Sequence, residues 1–308
     1  MSRRSEREIS PKLITLSADL HRMKKIQRLT ELRQDIAAFR SAGERIALVP
    51  TMGNLHQGHL QLVKEARRLA DRVVATVFVN PTQFGPGEDY ASYPRTPEAD
   101  RAALAQAGAD ILFIPEVHEV YPRGLSALTS VEVPGLSEEL CGAFRPGHFR
   151  GVATVVLKLF NMVNADIAVF GEKDYQQLTV IRQMVADLNL PLTIHGVPTV
   201  READGLAMSS RNSYLSADER RKAAILYATL RSSVAALKIG QSPISQIEAE
   251  ASATLEAQGF RVDYVSVRRV LDLAAPGPEE DPGGLIVLVA ARLGKTRLID
   301  NLRVSVGV

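Results

Sequence analysis

Short apolar, β-branched runs recur along the chain with amphipathic stretches between them. This alternation limits the fold more than any other feature. The runs are "RIALV" from 45, "RVVATVFVN" from 72, "ADILFIP" from 109, "ADIAVFG" from 165 and "LTIHGVPTV" from 192. They are continuously apolar instead of alternating, the pattern of strands buried on both faces. Between them, "HLQLVKEARRLA" from 59 sets Leu60, Val63, Ala66 and Leu69 or Ala70 on one helical face. "PEADRAALAQAGA" from 97 opens with proline and acids and closes at Gly108, and "YQQLTVIRQMVADLN" from 175 repeats the helical period. Such units predict an α/β fold, a Rossmann-like parallel sheet with helices on both sides. Ligands of these sheets bind beyond the carboxyl ends of the strands. The unusual residues collect at those ends, at 50–59, 80–85 and 171–174.

The pattern changes near residue 200. "SADERRKAAILYATLRSSVAAL" from 216 reads as one long helix with Ser216 as N-cap and acids in its first turn. "ISQIEAEASATLEAQG" reads as another helix, and "FRVDYVSVRR", "GLIVLVAARLG" and "TRLIDNLRV" as strands, with the turn-rich "APGPEEDPGG" between two of them. The expected organisation is a loosely held extension over 1–22, a nucleotide-binding domain over 23–199 and a smaller α+β domain over 200–308.

Composition removes several classes of function. Basic residues number 37 and acidic residues 35, so the net charge of +2 gives no reason to expect a nucleic acid as partner. The longest apolar run, Leu285–Ala291, is far too short to cross a bilayer and reads as a buried strand. The first 25 residues lack the apolar stretch of a signal peptide. Cys141 is the single cysteine, so no internal disulfide can form and a reducing, cytoplasmic setting fits.

Two of the chain's six histidines lie in "PTMGNLHQGH" at 50–59, where a strand should end and a helix begin. Three readings compete. A His pair at helical spacing can chelate a metal, but no third ligand lies close in sequence. Histidine can also be polar filler at a helix end. The third reading is phosphate binding: a helix N-terminus offers free N–H groups and a positive dipole end, Gly53 and Gly58 allow close backbone approach, and two imidazoles add donors. Fold and spacing favour the third.

The common nucleotide loops are missing. There is no G-x-G-x-x-G, and "LGKT" at 293–296 has Val289 where a P-loop needs glycine. Lys295 therefore reads as a surface residue. In "GEKD" at 171–174, Lys173 can stand beside a phosphate and Asp174 can hold Mg²⁺ or a ribose hydroxyl. "MSSRN" at 208–212 sets two hydroxyls and an arginine in a loop. "NPTQF" at 80–84 offers the amides of Asn80 and Gln83 to a carboxylate or hydroxyl. "RPGHFRG" at 145–151 reads as an anion site or a flexible flap. Each of these taken alone is also an ordinary turn.

Together, "PTMGNLHQGH", "FVNPTQF", "YPRT", "RPGHFRG", "FGEKDYQQL" and "DGLAMSSRN" resemble the pantothenate synthetase (pantoate–β-alanine ligase) family in order and spacing, from about Met23 to the C-terminus. The H-x-G-H core alone would indicate only the wider nucleotidyltransferase superfamily. The resemblance implies that ATP and pantoate form pantoyl adenylate with Mg²⁺, and that β-alanine then displaces AMP. It assigns ATP to Met52, Gly53, Asn54, Leu55, His56, Gln57, Gly58, His59, Gly171, Glu172, Lys173, Asp174, Val200, Met208, Ser209, Ser210 and Arg211. Gln83 and Gln177 match residues that hold pantoate, Gln83 lying also beside β-alanine, and His59 matches the residue assigned as proton donor. His56, His59, Lys173, Ser209, Ser210 and Arg211 are expected to supply the donors and positive charge that offset phosphoryl repulsion. The resemblance also implies a homodimer. A reactive adenylate needs shielding from water, for which the C-terminal domain is a natural lid. The rival readings are a different adenylyltransferase, or an ATP-binding module without turnover.

Overall fold

The computed structural model describes residues 23–277 and 280–304. The extension over 1–22 lies outside the described residues. Among those residues a parallel sheet runs β1 (Lys24–Ile26), β4 (Ile111–Phe113), β3 (Arg72–Val77), β2 (Ile46–Thr51), β5 (Ile167–Gly171), β6 (Thr193–Val197). From β2 the strands progress outward through β3 and β4 on one side and through β5 and β6 on the other. The strand order therefore reverses between β2 and β5, and the ends of these two strands frame the crevice where such sheets bind ligands.

Period-two alternation explains why the strands read as wholly apolar. Ile46 and Leu48 point into one core with Val74, Phe113, Ala168 and Phe170, while Ala47 and Val49 point into another with Val73, Ala75 and Val169. The first core is covered by α1 (Leu29–Ser41), α6 (His148–Val163) and α7 (Tyr175–Asp187), the second by α2 (Gln57–Leu69) and α3 (Pro97–Ala107). Two one-turn helices, α4 (Val117–Val120) and α5 (Cys141–Phe144), lie between β4 and α6.

Three sequence readings change. The buried stripe of α2 is Leu62, Val63 and Ala66, with Leu60 only half-buried; counted back by one turn, that stripe begins at His59. "RPGHFRG" is not a flap but the entry to α6, whose Phe149, Val152, Val156 and Phe160 are core residues. Gly151 there packs so closely that a Cβ would lie 2.2 Å from the Thr82 carbonyl oxygen. The long helix from 216 is interrupted into α8 (Ala217–Ala223) and α9 (Ile225–Ile239). Ala224 between them keeps helical dihedrals (φ −61°, ψ −21°), so the chain continues in the same direction. Ser216 caps α8 with Glu219 returning the bond, as the sequence suggests.

The second sheet is antiparallel in the order β7 (Arg261–Arg269), β8 (Leu285–Leu293), β9 (Thr296–Arg303). Its central strand β8 is almost wholly buried, and it shares a core with α9 and α10 (Ile244–Ala257) made of residues between Leu206 and Val304. Lys295 stands exposed at the β8–β9 turn.

Candidate active site

The turn leaving β2 is shaped by two consecutive left-handed residues, Gly53 (φ +86°) and Asn54 (φ +50°). Asp100 of α3, only 3% exposed, accepts hydrogen bonds from the N–H groups of Asn54 (3.0 Å) and Leu55 (2.8 Å) and from the Thr96 hydroxyl (3.0 Å). A buried carboxylate thus serves as the anchor of the turn. Both glycines make room for neighbouring side chains, and Gly58 also lines the cavity described below. A Cβ on Gly53 would press on Val77 and Asp100, and one on Gly58 would lie 2.9 Å from the His56 ring.

His56 is the N-cap of α2. Its Nδ1 accepts from the Gly58 N–H at 3.1 Å, while His59 Nδ1 accepts from the His56 N–H at 3.3 Å. This reciprocal cap settles the tautomers: with Nδ1 accepting, each neutral ring carries its proton on Nε2. The rings lie together, centroids 4.0 Å apart. Burial pushes the His56 pKa down to about 4 and that of His59 to about 3, with Lys173 disfavouring a further charge on both. Within the expected set of donors and positive charge, the histidines therefore stand on the donor side. They are neutral donors of Nε2–H, and the charge resides on Lys173 and Arg211.

Lys173 stands in the 3₁₀ turn Glu172–Asp174 that leaves β5, its side chain 17% exposed and 3.9 Å from the half-exposed Asp174. Arg211 comes from the loop after β6. Its guanidinium makes a two-point pair with Asp89 at 3.0 and 3.1 Å, and Ser210 Oγ donates to the Asn54 carbonyl at 3.0 Å, joining that loop to the β2 turn. These groups enclose a cavity of about 170 Å³ at the switch point. Met52, His56, Gly58, His59, Gly171, Lys173, Asp174, Gln177, Val200 and Met208 through Arg211 all reach it. It continues past Lys173 and Arg211 into a cleft of about 840 Å³ bounded by β8 and β9.

Other expected residues stand behind this lining. Gly53, Asn54 and Leu55 shape the turn, Gln57 is exposed, and Glu172 turns to Arg303 at 3.2 Å. Gln83 lies behind Met52, donating to its sulfur at 3.3 Å. Asn80 is 1% exposed with its amide committed to Gln83, Gly151, Thr82 and Tyr121, so it supports Gln83 instead of facing the cavity. The main chain of Gln83 is held as well: His148 Nδ1–H donates to its carbonyl at 2.8 Å, Arg145 donates to His148 Nε2 at 2.9 Å, and Glu88 pairs with Arg145. Burial, then the Arg145 charge, lowers the His148 pKa to about 4. Asp100 and Asp89 were not assigned roles by sequence, and His148, read there within an anion site or flap, instead supports the Gln83 main chain. For Asp100 a signal exists, since it falls one helical turn before Leu104 on the buried face of α3.

A family model described as Pantoate-beta-alanine ligase matches residues 24–303. The chain belongs to the pantoate–β-alanine ligase family. A curated pantothenate synthetase of Methylococcus capsulatus is 58% identical over 283 residues, 92% of this chain and 98% of that one. The crystal structure of pantothenate synthetase from Thermus thermophilus superposes with a TM-score of 0.85 at 49% identity, covering 92% of this chain and all of that one. A pantoate-beta-alanine ligase from Francisella tularensis, solved with beta-gamma ATP and beta-alanine, gives a TM-score of 0.76 at 32% identity, covering 92% and 99%. The fold of this ligase family, a parallel sheet followed by a smaller antiparallel one, is the one described above. Among the described residues no helix is long and apolar enough to cross a membrane.

Proposed function

We propose that this ligase carries out pantoate activation and β-alanine capture at the cavity between the ends of β2 and β5. A pantoate carboxylate oxygen attacks the α-phosphorus of ATP, and pyrophosphate leaves. The amine of β-alanine then attacks the acyl carbon, AMP leaves, and the amine gives up its proton as the amide forms. The observation that carries this reading is the convergence on one cavity at the switch point of two imidazoles, each with Nδ1 committed to the helix cap, together with Lys173 and Arg211. Attack of one anion on another needs donors and charge fixed in advance, and this set offers both. His59 acts as a hydrogen-bond donor to the phosphoryl oxygens. Gln177 lines the cavity and Gln83 stands behind Met52, which supports a role for their two amides in holding pantoate.

Among the described residues no three His, Cys, Asp or Glu side chains cluster to hold a metal. The half-exposed Asp174 fits Mg²⁺ bound mainly through phosphates, as Mg²⁺ commonly is, and that ion would neutralise phosphate charge. We take the domain boundary near residue 200, where the two cores separate. A homodimer in the cytoplasm rests on the family resemblance. Product analysis with ATP, pantoate and β-alanine tests the reading. AMP, pyrophosphate and pantothenate in equal amounts are expected, with pyrophosphate exchange dependent on pantoate. ADP formation, or turnover indifferent to pantoate, would overturn it.

A further inference from the structure

The last strand of the second sheet reaches the turn that carries Lys173. Asn301 of β9 is 7% exposed, and its side-chain nitrogen donates to the main-chain carbonyls of Glu172 and Lys173, each at 2.9 Å. Two carbonyl partners require the amide nitrogen there, because the amide oxygen would set lone pairs against lone pairs. These carbonyls belong to the two peptide units on either side of the Lys173 Cα. Holding both units fixes the φ and ψ of Lys173, and with them the direction in which its side chain leaves the backbone.

Asn301 is itself held firmly. Its N–H donates to Asp300 Oδ1 at 2.8 Å, and its carbonyl accepts from Arg201 at 3.1 Å. Arg201 pairs with Asp300 at 2.6 and 3.0 Å, and its guanidinium lies 3.8 Å from the centre of the Tyr227 ring. The turn has no comparable local support, since neither Gly171 before it nor Asp174 before α7 provides a side-chain cap.

We propose that Asn301 is a positioning residue for Lys173: through two hydrogen bonds it aims the ammonium into the cavity from a strand that supplies no catalytic group. The proposal rests on the reading of Lys173 given above. Movement of β9 away from β5 would release the main chain on both sides of Lys173.

A double-mutant cycle on pantoate-dependent ATP–pyrophosphate exchange tests this. Asn301→Ala should lower kcat by between about 10- and 100-fold, the scale expected for a misplaced group, and leave KM for pantoate little changed. Asn301→Ser, which keeps one donor, should lose less. In a Lys173→Ala background, Asn301→Ala should cost less than about twofold, because the group it positions is gone. Melting curves establish which variants fold, and if Asn301→Ala does not, the cycle is closed with Asn301→Ser under the same criterion. Equal losses in both backgrounds, or unchanged kcat in a folded Asn301 variant, would overturn the proposal. Full exchange by Lys173→Ala would instead overturn the role of Lys173, and the proposal with it.

Discussion

The turns after β2 and β5 supply the two halves of the site, and they are held differently. The first is secured mainly by its own helix and the helix beside it, with one further bond from Ser210 in the loop after β6. His56 and His59 cap each other's backbone, and Asp100, from a helix packed against α2, takes two of its N–H groups. The second has no cap of its own and is gripped by Asn301, 128 residues from Lys173 in sequence. The difference shows that one catalytic cavity can combine a preassembled donor pair with a charge whose aim depends on another sheet. It also separates function from support: the antiparallel sheet contributes by holding.

The largest effect should come from the self-capped turn. His59→Ala removes one preorganised donor, and pantoate-dependent ATP–pyrophosphate exchange should fall by about 10²–10³. Attack of β-alanine on supplied pantoyl adenylate should suffer less, because phosphorus is no longer the centre attacked. Equal impairment of both steps would show that His59 serves the turn generally, and the comparison would lose its chemical side. Next in size, Asp100→Ala leaves two buried N–H groups without their charged partner. It should cost about 2–4 kcal/mol of stability, read from denaturant unfolding, and lower exchange together with it. A stable Asp100→Ala chain would mean that the turn is not held locally.

A further effect is on stability against pH. His56, His59 and His148 titrate at about 4, 3 and 4 in the folded chain, against 6.5 for a free imidazole. Above pH 6.5 both folded and unfolded states are neutral at these rings. As the pH falls from 6.5 toward 4 the unfolded chain takes up protons that the folded chain refuses, so stability declines across that window. The melting temperature should fall there in the wild type, and less steeply in His148→Gln. An unchanged slope would place the His148 proton elsewhere.

What could be read from the sequence divides along the same line. Apolar strands, the positions of the unusual turns and the histidines at a helix start are local patterns within a few residues. The family motifs extended that reading to the residues around the cavity. β1 escaped because "KKI" shows one buried residue at a sheet edge. α6 escaped because "VATVVL" is β-branched and buried on nearly every side, so no helical period stands out. The neutrality of His56 and His59 depends on burial that only the packed helix creates. The grip of Asn301 on Lys173 joins segments whose proximity follows from sheet docking, and no spacing in the chain announces it.

The account depends most on two neutral imidazoles that both present Nε2–H to the cavity. Nitrogen-detected NMR titration of the ligand-free protein, with His56 and His59 assigned by substitution, addresses this directly. The expected result is Nε2–H tautomers for both rings at neutral pH, with protonation only near pH 4 for His56 and near pH 3 for His59. Protonation of either ring near pH 6.5, or a proton on Nδ1 at neutral pH, would contradict it.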